Sequence, residues 1–437
     1  MAFQVLKQVQ RGAFADVALD RVLNRTDLTD RDRKFATELV YGTIRRQRTL
    51  DAIIDQLGQK PSHQQPPALR LILHLGLYQL RYLDHIPPSA AINTTVELAK
   101  QNGFSGLAGF VNGVLRQYDR QPDQALPQSN NLVTQLGIQH SFPDWIVQVY
   151  LDQFGPVETA QLCDWLNQPP AIDLRVNTLT TSLAAVESKF QQAGIAVQRL
   201  PHLPQALRLL SHAGAIQNLP GFVEGEWIVQ DSSAQLVGYL LDPQPGETIV
   251  DACAAPGGKT LHIAELMQDQ GTVWAVDRTA SRLKKMQQNI DRLGLHCIQT
   301  KTADSRHIPE FVQQCDRVLV DAPCSGLGTL NRHADARWRQ TPESVSELTQ
   351  LQREILQQAA TWVKPGGQLV YATCTLHPEE NEVIVESFLS HNSHWIIDRP
   401  LASSPFEPFT VAPGWIKVLP HQHQMDGFFM VRLKRAT

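Results

Sequence analysis

From residue 246 onward, short β-branched runs alternate with longer amphipathic ones, and few architectures accept that order. Period-2 and apolar runs predict strands at 248–252, 272–277, 297–301, 317–320 and 368–372. Helical spacing predicts helices between them at about 259–267, 280–293 and 342–362. Such alternation builds a doubly wound α/β sheet of mostly parallel strands. The tail 427–433 suits a late antiparallel strand. Open parallel sheets bind ligands beyond the carboxyl ends of their strands. The residues that follow each strand are therefore where chemistry is to be sought.

Two cysteines stand there. Cys324 lies in Asp-Ala-Pro-Cys-Ser-Gly, just after the run 317–320, and Cys374 lies in Tyr-Ala-Thr-Cys-Thr, just after 368–370. Neighbouring strands run about 5 Å apart, so adjacency would put both thiols in one cleft. One chemistry that wants this is methylation of a pyrimidine at carbon 5. That carbon is a poor nucleophile until a thiolate adds at carbon 6. Asp321, three residues before Cys324, is placed to hydrogen-bond ring nitrogen 3 of such a base. A single cysteine after a strand is most often packing, and Cys163, Cys297 and Cys315 read that way. The residues alone do not rank Cys324 against Cys374 as nucleophile.

The first of these strands runs into Asp251-Ala-Cys-Ala-Ala-Pro-Gly-Gly-Lys-Thr260. Ala254, Ala255, Gly257 and Gly258 allow close backbone approach to a ligand. Asp277 ends the next strand, where a carboxylate takes ribose hydroxyls. Asp304 follows the third strand, within reach of an adenine edge. A P-loop is the rival reading, because Gly258-Lys259-Thr260 has its ending. A P-loop needs glycine where Cys253 stands, and Pro256 removes an amide from the cradle. A ligand with adenine and ribose but no phosphate fits better. S-adenosyl-L-methionine is such a ligand, with Asp251 suited to its positive sulfonium.

The front of the chain reads as all helical. Thr29 is a candidate N-cap with Asp32 three positions on, and Phe35, Ala36, Leu39, Val40 and Ile44 follow at helical spacing. Leu69 to Leu80 repeat at three and four, Ser89 caps a helix after Pro87-Pro88, and 106–118 is a further helix. Residues 119–131 are polar and proline-bearing and read as a linker. Helices at 143–154 and 156–167, a strand at 172–177 and a helix at 182–193 suit a small α+β unit within 140–225. Residues 1–120 carry 16 Lys+Arg against 11 Asp+Glu, and the remainder 23 against 32. A basic front on an acidic body suits a polyanion partner, although so small an excess is equally ordinary helix surface. Arg45, Arg46 and Arg48 cluster just past the first apolar stripe, and Arg332, Arg337 and Arg339, which follow the Cys324 loop, are either phosphate contacts or solvated surface. Six cysteines without framework spacing, no signal-peptide pattern and no membrane span lead to a reduced, cytoplasmic location. His421 and His423 lack companions for zinc, so no metal is expected.

Together these motifs resemble the RNA 5-methylcytosine methyltransferases of the Sun/Fmu family. The segments from Leu28 to Ile54 and from Gly106 to Arg116 are similar to the NusB antitermination domain. The resemblance implies a NusB-like all-helical RNA-binding domain (1–125), a linker (126–139), a small α+β RNA-recognition-like region (140–225) and a Rossmann-like methyltransferase domain (226–437). It implies methyl transfer from S-adenosylmethionine to a cytosine of small-subunit ribosomal RNA by a monomer. It places the cofactor loop at Cys253, Ala254, Ala255, Pro256, Gly257, Gly258 and Lys259, with Asp277, Asp304 and Asp321 completing that side. It makes Cys374 the nucleophile and gives Cys324 a part in product release. An RNA-binding factor with an inert methyltransferase fold is the non-enzymatic alternative.

Overall fold

The computed structural model describes residues 1–210, 214–401 and 404–437. In chain order its strands are β1 (Ile172–Val176), β2 (Val197–Arg199), β3 (Ala206–Leu209), β4 (Trp227–Val229), β5 (Thr248–Asp251), β6 (Thr272–Asp277), β7 (Ile298–Thr302), β8 (Cys315–Asp321), β9 (Val363–Thr373), β10 (Trp395–Ile397), β11 (Thr410–Val411), β12 (Trp415–Val418) and β13 (Phe428–Arg435). The larger sheet has the order β11-β12-β13-β9-β8-β5-β6-β7, with β10 also on β13. From β9 through β7 the pairing is parallel, and β13 runs antiparallel to β9. The expected Rossmann-like sheet with a late antiparallel strand is therefore present.

Side chains alternate across a strand, and here the alternation feeds two cores. Ile249, Val273, Ala275, Leu319 and Val370 point to one, where the helices Gly258–Leu266 and Ala280–Leu293 contribute Leu261, Ile263, Leu283 and Met286. Val250, Val276, Val318, Val320 and Leu369 point to the other, packed by Ile355, Leu356, Ala359 and Trp362 of Pro342–Trp362. Thr341 and Ser344 close a reciprocal cap at the start of that long helix. A sheet with both faces covered by helices is what parallel pairing requires.

The smaller sheet has the order β2-β3-β1-β4, all antiparallel. Helix Leu183–Gln192 covers it with Val186 and Phe190, which pack with Leu174, Leu207 and Trp227. Arg175 of β1 is fully buried beneath this sheet and forks onto Glu265 of helix Gly258–Leu266, Nε to Oε2 at 2.9 Å and Nη2 to Oε1 at 2.7 Å. The small sheet and the first helix of the larger one are thus joined by a buried ion pair.

The front end is helical throughout, from Ala2–Gln10 to Ala108–Arg120. The amide of Asp32 donates to Thr29 Oγ1 at 3.2 Å, the cap expected there. Ser89 does not cap: Pro87 holds the N-cap position, Pro88 opens the helix Pro88–Gln101, and no side chain caps it. Pro88 takes the first helical position, where it needs no amide partner, so Ser89 falls inside the first turn instead of ahead of it. The stretch read as a linker contains a helix, Leu132–His140, capped by Asn131 Oδ1 from the Thr134 amide at 3.1 Å. Its Ile138 carbonyl accepts from Thr49 Oγ1 at 2.6 Å, so tertiary contact holds it, whereas the polar stretch 119–131 carries only the end of the helix Ala108–Arg120 and the short turn Pro122–Gln124. The next helix, Asp144–Trp165, kinks at Gly155, where φ is 72°, just before Pro156.

Packing divides the chain into two compact units, Met1–Pro169 with Leu330–Arg339, and Pro170–Thr329 with Gln340–Thr437. Ten residues that follow the Cys324 loop therefore count with the helices. Arg337, fully buried, is the anchor. It donates to the carbonyls of Arg45, Ser141, Leu166 and Leu330 at 3.1–3.3 Å and to Asn167 Oδ1 at 2.8 Å, and its guanidinium lies 4.1 Å from the Phe142 ring centroid. Trp338 Nε1 donates to the Ile44 carbonyl at 2.7 Å, and Arg339 bonds Asp335 and the Ala13 carbonyl. Arg337 and Arg339 are thus neither phosphate contacts nor solvated surface, because unpaired carbonyls at helix ends claim them. The cluster at 45–48 is similarly engaged: Arg45 bonds the Asn331 carbonyl, Arg46 lies over Tyr82 and Arg48 pairs with Asp144. Among the described residues no helix is long and apolar enough to cross a membrane.

Candidate active site

Four acids stand at the carboxyl ends of four adjacent parallel strands: Asp321 on β8, Asp251 on β5, Asp277 on β6 and Asp304 just past β7. Between the β5 acid and the helix that begins at Gly258 runs the small-residue turn. Its Ala255–Pro256 peptide is cis, and Gly257 has φ of 109°, a left-handed conformation that favours glycine. A Cβ on Gly257 would lie 2.3 Å from Met286 Cγ, so any side chain there collides.

The acids have distinct local partners. Asp251, 1% exposed, accepts from Thr260 Oγ1 at 2.6 Å and more weakly from the Cys253 amide at 3.4 Å. Burial pushes its carboxyl up to about 7 despite the Thr260 bond. It ties the start of the turn to the helix. Asp277 closes the turn from the side: it accepts from the amides of Ala255 at 3.3 Å and Thr279 at 2.8 Å. Asp304 is gripped by Arg306 through Nε at 3.0 Å and Nη2 at 2.7 Å, which holds its carboxyl at about 2. Asp321 Oδ2 accepts from Lys259 Nζ at 2.7 Å. Burial works against the Lys259 ammonium, but Asp321, Cys374 and Asp251 together hold its affinity for the proton above the ordinary value. The ammonium also lies 4.9 Å from the Phe428 ring centroid.

β8 and β9 are parallel neighbours with Asp321 opposite Ala372. That register brings Cys324 and Cys374 together, both half-buried, with their sulfurs 3.3 Å apart. The bond to Cys374, then burial, pushes the Cys324 thiol well up. The two loops are stitched by backbone: the Gly328 amide donates to the Cys374 carbonyl at 3.0 Å, and the Gly427 amide to the Gly328 carbonyl at 2.8 Å. A Cβ on Gly328 would lie 2.2 Å from the Gly427 oxygen, so the two chains meet here only as glycines. Cys163, Cys297 and Cys315 are buried and distant in role, as packing residues are. His423 accepts the Leu419 amide at 2.9 Å, a local turn bond.

Side chains that the motifs did not single out complete the site. Ser325 and Thr375, each the residue after a thiol, meet at 2.8 Å through their hydroxyls. Glu380, fully buried, accepts from the Ser325 amide at 2.8 Å and from Gln352 Nε2 at 3.0 Å. Asn381 Oδ1 accepts from Thr373 Oγ1 at 2.5 Å, and its Nδ2 donates to the Thr375 carbonyl at 3.0 Å. The signal for these was present in Pro378-Glu-Glu-Asn381, an acid and amide run that begins four residues after the second thiol. Arg175 was the other omission. Its Nη1 donates to the Gly258 carbonyl at 2.7 Å and to Gln230, so it holds the first residue of the helix after the turn.

A doubly wound sheet with this turn, strand-end acids and paired thiols defines the class, a Rossmann-like methyltransferase. Comparison with known proteins narrows it. Residues 238–434 match the family described as 16S rRNA methyltransferase RsmB/F, residues 1–120 match the NusB family, and residues 142–216 match the RsmF/B-like ferredoxin-like domain. The probable ribosomal RNA small subunit methyltransferase B of Synechocystis sp. is 48% identical, covering 100% of this chain and 99% of the relative. That of Bacillus subtilis is 37% identical over 99% of this chain and 97% of the relative. The crystal structure of PH0851 superposes with a TM-score of 0.84 at 28% identity, covering 99% of this chain and 97% of that one. The chain belongs to the ribosomal RNA small subunit methyltransferase B family.

Proposed function

We propose that this chain transfers a methyl group from S-adenosylmethionine to carbon 5 of a cytosine in 16S ribosomal RNA, through a covalent bond between Cys374 and the base. The observation that carries the reading is the pair of thiols 3.3 Å apart at the carboxyl ends of adjacent parallel strands. Relatives named for small-subunit ribosomal RNA support the substrate class, and with it a cytoplasmic location.

The donor set favours a cofactor without phosphates. Pro256 offers no amide, Lys259 of the turn is engaged by Asp321, and Arg282, which reaches the turn, is bonded to the Ala255 carbonyl and Asp277. The turn from Cys253 to Lys259 would hold S-adenosylmethionine, with Asp277 and Asp304 on its adenosine side. When bound, the cofactor supplies the methyl group. The protein's own part begins with Cys374, whose thiolate forms a bond to carbon 6 of the cytosine. Electron density then reaches carbon 5, which takes the methyl and afterwards loses its proton. Loss of that proton re-forms the 5,6 double bond and expels the Cys374 thiolate. Cys324, in contact with Cys374, assists this release. Asp321 and Lys259 form a charged pair beside the thiols, suited to hold the base as electrons move into the ring. The base must leave its stack to reach this cleft.

The test is incubation of the full chain with methyl-labelled S-adenosylmethionine and unmodified 16S ribosomal RNA, followed by nucleoside analysis. Label in 5-methylcytidine is expected. Label in another nucleoside, or none with both free RNA and small subunits, contradicts the proposal.

A further inference from the structure

Glu380 is a buried carboxylate whose hydrogen-bond partners are neutral. Its Oε1 accepts from the Ser325 amide at 2.8 Å and Gln352 Nε2 at 3.0 Å, and its Oε2 accepts from the Ser325 hydroxyl. The Tyr371 hydroxyl donates to its backbone carbonyl at 2.7 Å. Gln352 Nε2 also donates to the Pro323 carbonyl at 2.9 Å, so both residues flanking Cys324 are held by one cluster. Through the 2.8 Å contact of Ser325 with Thr375, the same cluster reaches the residue after Cys374. A charge buried among neutral donors is unfavourable, and a neutral amide of the same shape would tie these loops with less desolvation. The charge therefore calls for a role that shape alone does not fill.

The surroundings of the two sulfurs are unequal. Glu380 grips the loop of Cys324, whereas the Lys259 ammonium, bonded to Asp321, interacts with Cys374. We propose that Glu380 is a positioning residue for the thiol pair: its carboxylate clamps the loops after β8 and β9 at one spacing, so that Cys374 is the sulfur free to attack. The Cys374 contact and burial hold the proton on Cys324, and the charge of Glu380 adds to them. The titratable groups facing Cys324 are Cys374, Glu380 and Tyr371, and those facing Cys374 are Cys324 and Lys259, with Asp321 behind the ammonium. Like charge disfavours ionisation nearby and opposite charge favours it. A protonated Cys324 donates its S–H to the Cys374 thiolate, which agrees with the sulfur contact.

This inference rests on the reading that Cys374 attacks the base, and its test does not use RNA, so the two fail separately. Full-length protein is alkylated with iodoacetamide across pH, and each cysteine is followed by peptide mass spectrometry. In the unaltered protein, Cys374 should label about tenfold faster than Cys324 near neutral pH, since only the thiolate reacts. In Glu380→Gln the pH midpoint for Cys324 labelling should fall by about one unit and the preference for Cys374 should shrink. Affinity for S-adenosylhomocysteine should not change. A role in shape alone would alter labelling amplitudes without moving the midpoint. Faster labelling of Cys324 in the unaltered protein overturns the proposal whether or not the variant folds. So does an unmoved Cys324 midpoint in Glu380→Gln.

Discussion

Replacing Arg175 separates two things the structure makes it do. Its guanidinium and the Glu265 carboxylate are both fully buried and joined by two bonds of 2.7–2.9 Å. Burial raises the Glu265 carboxyl, and Arg175 only partly opposes that. Arg175→Met strands the carboxylate, and breaking one side of a buried pair costs about 3–5 kcal/mol. For a unit of this size that lowers the melting midpoint by roughly 6–20 °C. Arg175→Met with Glu265→Met removes both charges, and an apolar pair of similar volume is about neutral for stability. The double variant nevertheless leaves the Gly258 carbonyl without the guanidinium that holds it at 2.7 Å. A hydrogen bond to a charged group is worth about 1.5–3 kcal/mol, so affinity should fall by about tenfold or more if the turn feels most of that loss. Calorimetric melting and titration with S-adenosylhomocysteine read the two effects. The single variant should lose both stability and affinity, and the double should recover stability alone. Recovery of both refutes the claim that Arg175 holds the turn, and a single variant as stable as the parent refutes the buried-pair reasoning.

Two further outcomes follow from buried groups. Arg337→Met leaves four carbonyls and Asn167 Oδ1 without their donor. It should destabilise the unit built on Met1–Pro169 by about 3–5 kcal/mol, read as early loss of hydrogen-exchange protection in those helices, whereas unchanged protection contradicts the anchor role. Asp251, raised from 3.8 to about 7, binds its proton more tightly folded than unfolded. The stability this contributes is complete below pH 3.8 and is lost as pH rises to about 7. Asp251→Asn keeps an acceptor for Thr260 without that loss, so its advantage over the parent in urea unfolding should grow between pH 5 and pH 8 by up to ~3 kcal/mol. A difference independent of pH contradicts the assignment.

The catalytic sheet was legible because its signals are local. Period-2 runs and amphipathic stretches placed Ala280–Leu293 and Pro342–Trp362 at their observed bounds. Thiols directly after two strands become neighbours once those strands pair in parallel. β9 begins earlier than the pattern shows, at Val363, because its Pro-Gly-Gly stretch continues the strand only with β8 beside it. Side-chain destinations were less legible, since they depend on groups far away in sequence. Arg337 looks like a surface charge until the carbonyls of Arg45, Ser141 and Leu166 converge on it. Asp251 reads as a free acid until Thr260, one helical turn beyond the glycines, folds back to it. Glu380 stood in the acid and amide run Pro378–Asn381, but only the fold places it under Ser325.

The central claim is that Cys374 bonds to the base and Cys324 releases it. Its most direct test is the covalent complex itself. Full-length Cys324→Ala is incubated with S-adenosylmethionine and 16S ribosomal RNA, denatured, digested and mapped by mass spectrometry. A methylated cytidine adduct on the peptide carrying Cys374, absent from the Cys324→Ala, Cys374→Ala double variant, is the predicted result. An adduct on any other residue, or rapid turnover by the Cys374→Ala enzyme, would contradict it.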